Sequence, residues 1–248
     1  MTDQILPTRR GRGAAEGRRR RRGVLYFLRD LAIIFIIAVL VSFLVKTFLI
    51  RSFYIPSGSM EHTLEKNDRI IVNELEPALM PIQRGDVVVF RDPGGWLPAK
   101  PPTPVNPVAE GIDWLLSLVG LSTSDSEDHL IKRVIGLPGD HVECCNALGQ
   151  MSVNGSPLNE PYVTLPHGDI NVSRDPFDVT VPKGSLWVMG DNRYNSADSR
   201  YNRDKPGDGF VPIKDVVGRA LVISWPIDRW TWLDNYPEVF RGAETGKE

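Results

Sequence analysis

The sequence predicts a mostly β domain of antiparallel sheets behind one N-terminal transmembrane helix. Three observations predict it. Residues 31–50, LAIIFIIAVLVSFLVKTFLI, are apolar all round, with Lys46 as their one charge. Beyond them, short runs of period-2 apolar residues are punctuated by Gly, Pro and Asn, and no long amphipathic helix repeats. Finally, 22 Gly and 20 Pro in 248 residues imply many turns.

The N-terminal tail, 1–23, carries eight Arg against Asp3 and Glu16, including the run Arg18 to Arg22. Like charges so placed repel, so a disordered tail is expected. An RNA-binding tail is the alternative. The rest of the chain is net acidic, which argues against a nucleic-acid-binding body and for no nucleic-acid partner. Twenty helical residues at about 1.5 Å each match a bilayer core of about 30 Å. The anchor is placed at 24–50. The Arg excess before it keeps the N-terminus cytoplasmic and puts 51–248 outside, at the plasma membrane. A cleaved leader would have a shorter apolar stretch and a small-residue site at its end, and Lys46–Tyr54 offers none.

The outer domain is read as 51–240, with a disordered end at 241–248. Strands are expected at Arg69–Val72, Asp86–Phe90, Leu130–Ile135, Gln150–Val153, Ser185–Met189 and Val217–Ser224, and Asn154-Gly155 signals a hairpin. An insertion is expected at about 92–128. It is Pro-rich at first, then carries the apolar stretch 111–121, either packed on the β body or lying at the membrane interface. Cys144 and Cys145 are adjacent, leaving a vicinal bridge, free thiols or an intermolecular link all open.

The sequence contains no P-loop, no G-x-S-x-G and no H-E-x-x-H, and its four His show no metal spacing, so neither metal nor cofactor is expected. DNRYNS at 191–196 lacks the Gly and Glu of a calcium loop. A nucleophile question is left. Ser57 and Ser59 flank Gly58 directly after the anchor. On a strand, Leu130, Lys132 and Val134 share one face and Ile131, Arg133 and Ile135 the other. If the first face is buried, Lys132 is desolvated, its pKa falls, and a neutral amine becomes available as a base for a Ser hydroxyl. If it is exposed, Lys132 is a surface charge. The stretch 190–200, GDNRYNSADSR, is dense in hydrogen-bonding groups and offers Asp198 and Arg200 as an ion pair. His62 is the rival base, without a clear carboxylate partner beyond Glu61.

PSGSM at 56–60 after a single anchor, RGDVVVF at 84–90, KRVIGLPGD at 132–140 and GDNRYNSADSR at 190–200 occur in that order. In this the chain resembles the bacterial type I signal peptidases. The resemblance implies a membrane-anchored serine endopeptidase with a Ser–Lys dyad and a signal peptidase-like β fold. It would cut after small, A-x-A-like residues to release signal peptides from exported preproteins, beside membrane phospholipid and the export translocon. It implies Ser59 as nucleophile and Lys132 as general base. Ser57 would complete an oxyanion hole with the Ser59 N–H, and Ser196 would orient Lys132. Gly190, Asp191, Asp198 and Arg200 would support the site. The segment 92–128 is longer than the compact connection of some members. Two other classes fit the sequence less well: an inert membrane-anchored scaffold, and a self-cleaving Ser–Lys regulator, for whose DNA-binding module 1–23 is too short.

Overall fold

The computed structural model describes residues 26–41, 50–98 and 128–245. The basic tail, the stretch 42–49, most of the expected insertion including 111–121, and the last three residues lie outside the described residues. Residues 26–41 form one helix with its apolar side chains, among them Ile34, Phe35 and Ile36, exposed. Among the described residues no helix is long and apolar enough to cross a membrane. At about 1.5 Å per residue the described helix is about 24 Å long, short of a bilayer core.

From Ile50 onward the chain is antiparallel β structure. The strands are β1 (Ile50–Tyr54), β2 (Arg69–Asn73), β3 (Val87–Arg91), β4 (His129–Gly136), β5 (His141–Cys144), β6 (Met151–Val153), β7 (Ser156–Pro157), β8 (Phe177–Thr180), β9 (Ser185–Met189), β10 (Val211–Pro212), β11 (Val216–Trp225) and β12 (Thr231–Trp232). The larger sheet runs β1-β2-β11-β3-β4-β9-β10, with β12 beside β11; the smaller runs β7-β6-β5-β8. All six expected strands form. Three that were not read from the sequence have clear reasons. Ile50, the expected last residue of the anchor, instead pairs with Asn73 at the start of β1. Strands β5 and β8 are four residues each, too short for alternation to stand out from a turn-rich background. The expected hairpin is present: Asn154 (φ 52) and Gly155 (φ 76) both take left-handed backbone between β6 and β7, as a type I′ turn requires.

Burial in β4 does not follow the alternation of its sequence. From Leu130 to Gly136 every residue is buried, so the sheet is covered on both sides. Leu130 and Val134 join a cluster with Phe90 and Val188. Ile131 packs with Phe53, Ile70 and Val89, and Ile135 with Trp187, Phe177 and Val142. The choice between a buried and an exposed face therefore does not arise for Lys132: it is 4% exposed.

Two further expectations are corrected or decided. The chain from 241 is not wholly a disordered end, because Arg241–Thr245 is a short helix. Phe240 and Ala243 sink into the cluster around Trp187, and Asn154 Nδ2 donates to the Ala243 carbonyl at 3.0 Å. Cys144 and Cys145 are bonded to each other.

Candidate active site

Ser59 sits in the short turn that follows β1. The Met60 carbonyl accepts the N–H groups of Thr63 (3.1 Å) and Leu64 (2.7 Å), while the fully buried Met60 and Leu64 side chains root the turn in the core. Lys132 comes from the middle of β4, whose partner β3 places Val88 opposite it. The two meet: Lys132 Nζ is 2.7 Å from Ser59 Oγ. The amine also donates to the Ile131 carbonyl at 2.8 Å. Burial drives the Lys132 pKa down to about 8, with Asp198 and Asp191 offsetting part of that fall. Once neutral, the amine accepts the Ser59 O–H, reversing the direction of the bond.

Ser57 is exposed, and its Oγ lies 3.4 Å from Ser59 Oγ. Among the described residues the Ser59 N–H has no hydrogen-bond partner. Two donors thus stand beside the nucleophile. A cavity of about 130 Å³, bordered by Phe53, Ile55, Val89 and Ile131, ends at Ser57 and Lys132. A larger cavity, lined by Arg91, Trp96, His129 and Lys205 among others, includes neither Ser59 nor Lys132.

The loop after β9 supports this pair through buried ion pairs. Asp198 accepts from the Gly190 N–H at 3.0 Å and binds Arg200 through both its oxygens. Burial opposes ionisation of Asp198, yet the Arg200 guanidinium holds its pKa below the usual value. Asp191 makes the same two-pronged contact with Arg133 at 2.9 and 2.7 Å, and accepts from Thr63 Oγ1 at 2.6 Å. Gly190 has no room for a side chain: a Cβ there would overlap Ser196 Oγ and the Ser59 carbonyl. Ser196 departs from expectation. Its buried Oγ makes no hydrogen bond, to Lys132 or to any other described group, although its dipole helps stabilise the neighbouring Asp198 carboxylate. The amine finds its second partner in the backbone carbonyl next door instead. His62 is turned out on left-handed backbone (φ 78) and is absent from the hydrogen bonds of Ser59.

Several residues of the site were not picked out in the sequence. Arg133, read only as the far face of β4, is fully buried and stacks 4.1 Å over the Tyr162 ring. Arg193 pairs with Glu160 at 2.6 Å, and Tyr162 donates to the same carboxylate. Glu160 stands in no motif, so nothing local announces it. Asn192, inside the quoted loop, reaches back to the nucleophile turn. Among the described residues one trio has the donor types of a metal centre: His141, Glu143 and Asp178, with no ion present. It belongs to the smaller sheet and shares no residue with the Ser–Lys site; spacing in the sequence does not show it because Asp178 lies on β8.

A family model described as signal peptidase, peptidase S26, matches residues 28–225. The chain belongs to the peptidase S26 signal peptidase family. Among its relatives, "Signal peptidase I" of Mycobacterium tuberculosis is 40% identical over 220 residues, covering 82% of this chain and 74% of the relative. "Probable signal peptidase I" of Mycobacterium leprae is 38% identical over 227 residues, covering 82% and 78%. "Signal peptidase I P" of Bacillus subtilis subsp. natto is 32% identical over 199 residues, covering 78% and 87%. As a member of the S26 signal peptidases the chain is a serine peptidase, a hydrolase with a mostly β antiparallel fold.

Proposed function

We propose that this chain removes signal peptides from exported preproteins by acyl transfer through Ser59 and Lys132. The contact between Lys132 Nζ and Ser59 Oγ, 2.7 Å inside a buried pocket, carries the reading. Neutral Lys132 takes the Ser59 proton as Oγ attacks the scissile carbonyl. The tetrahedral oxyanion is held by the Ser57 hydroxyl and the Ser59 N–H. Lys132 then passes its proton to the leaving amine; neutral again, it takes a proton from the water that attacks the acyl carbon and returns that proton to Ser59 Oγ as the acyl–oxygen bond breaks. Asp198, Arg200, Asp191 and Gly190 keep the loop beneath the dyad in place. Ser196, packed against Gly190, completes the wall of that loop.

The substrate lies extended along the site, and the cavity of about 130 Å³ admits small side chains before the scissile bond. The apolar run 31–50 anchors the chain in the plasma membrane with its N-terminus cytoplasmic and the β domain outside, next to phospholipid and the export translocon. Ser59 is nine residues beyond Ile50, at most about 30 Å along an extended chain. A signal peptide held in the same bilayer is thereby presented at high effective concentration.

The test is cleavage of a purified preprotein. Ser59→Ala and Lys132→Met are expected to abolish processing, and Lys132→Arg to come close, because a guanidinium stays protonated. Wild-type rate in either of the first two would end the acyl-transfer reading, and a wild-type chain that leaves the preprotein uncut would favour a scaffold role.

A further inference from the structure

We propose that Asn192 is a positioning residue for oxyanion stabilisation, its side-chain amide orienting the Gly58–Ser59 peptide whose N–H meets the developing negative charge. The inference rests on the acyl-transfer reading above, in which the Ser59 N–H is an oxyanion donor.

The Gly58 carbonyl and the Ser59 N–H belong to one peptide unit. That unit is not among the cis bonds of the chain, so the two groups point in opposite directions. Whatever holds the carbonyl aims the N–H. Asn192 Nδ2 donates to Gly58 O at 3.1 Å, and the Asn192 backbone N–H donates to Ser59 O at 3.2 Å. One residue of a distant loop thus holds the carbonyls on both sides of the catalytic N–H. The remaining contact to Gly58 O comes from the Glu61 N–H at 3.2 Å, inside the same short turn. It lies within the turn itself and does not tie the peptide to the loop that carries Asn192.

Gly58 is where such a clamp is needed. Without a Cβ it resists rotation less than any other residue. A Cβ there would meet the Glu61 carboxylate, so a stiffer residue at this position requires that side chain to shift. That carboxylate takes the same Asn192 amide group at 2.8 Å, which sets the amide the right way round. The loop itself is firm: Asp191, next to Asn192, is locked to Arg133 and Thr63. A carbonyl that accepts a hydrogen bond also makes the N–H of its own peptide a stronger donor. Asn192 therefore aims the donor and strengthens it without touching the substrate.

The experiment uses the full chain in detergent micelles, an internally quenched peptide with Ala one and three residues before the cut, and a peptide aldehyde with the same residues. Ser59 Oγ adds to the aldehyde carbon, its proton passes to Lys132, and the carbonyl π electrons move to the oxygen, which enters the oxyanion site. Asn192→Ala is expected to lower kcat about 10–100-fold with KM within about twofold, short of the loss of an entire donor. Affinity for the aldehyde should fall by a similar factor, affinity for the cleaved product peptide should hold, and the pH profile should keep its inflection. Asn192→Asp, alone and with Glu61→Gln, separates catalysis from anchoring. Removing the carboxylate repulsion should restore the urea midpoint but not kcat, since no donor to Gly58 O returns. Equal loss of aldehyde and product affinity, an unchanged kcat, or recovery of kcat by Glu61→Gln would overturn the proposal. If the wild-type chain binds the aldehyde no better than the product, or Ser59→Ala still cleaves, the acyl-transfer reading itself falls.

Discussion

Lys132→Met offers a test of the dyad that needs no substrate. The side chain is buried, and its amine loses its proton near pH 8 in the folded chain against 10.5 for the ordinary amine. Between those values the unfolded chain binds a proton that the folded chain has released, so the stability of the wild type rises with pH there. It is lost again as pH falls through 8, where the buried amine must be charged. At about 1.4 kcal/mol for each tenfold change in proton affinity, the full interval amounts to about 3 kcal/mol. Methionine keeps much of the volume and has no proton to lose. The stability difference, wild type minus variant, should be flat below pH 7 and grow by about 2 kcal/mol by pH 9.5. With a urea slope of about 2 kcal/mol per molar, that moves the wild-type midpoint about 1 M relative to the variant. All six Trp lie at position 96 or later, so tryptophan fluorescence reports unfolding of the β domain rather than the N-terminal helix. Midpoints that keep a constant separation from pH 7 to 9.5 would refute a desolvated Lys132. So would an inflection in kcat/KM far from the one in the stability difference, since both report the free enzyme.

Three other outcomes follow from the same geometry. Arg133→Ala leaves Asp191 buried and unpaired, and should cost about 3–5 kcal/mol in urea unfolding; a cost below 1 kcal/mol would mean that the pair does not anchor the loop. Gly190→Ala drives a methyl into Ser196 Oγ and the Ser59 carbonyl. It should cost about 1–3 kcal/mol and lower kcat, with chemical denaturation and peptide cleavage as the measurements. Ser57→Ala removes one oxyanion donor and should reduce kcat by about 10²–10³ with KM little changed; a pure KM effect would place Ser57 in substrate binding instead.

Legibility in the sequence followed the range of the interactions involved. Strands such as Ser185–Met189 were readable because side-chain alternation and flanking turn residues are local. Asn154-Gly155 was readable because few residues accept two successive left-handed conformations. What the sequence does not show is non-local. Arg241–Thr245 is ordered because Ala243 meets a core built from β5, β6 and β9, and Glu160 matters because Arg193 lies over it. Neither partner leaves a mark on the segment itself.

The order of residues alone sets the chemistry on offer: a hydroxyl beside a flexible glycine, one lysine in a largely apolar strand, and a loop rich in carboxylates and guanidinium groups. It determined the β character as well, since strand and turn preferences act over a few residues. What those groups become depends on the folded packing. A lysine in the middle of β4 gives up its proton readily enough to serve as a neutral base when both faces of its sheet are covered, and burial is a property of what packs against a strand rather than of the strand. The same holds for the nucleophile: 73 residues separate Ser59 from Lys132 along the chain, and pairing of strands within the larger sheet, not spacing of letters, brings them to 2.7 Å.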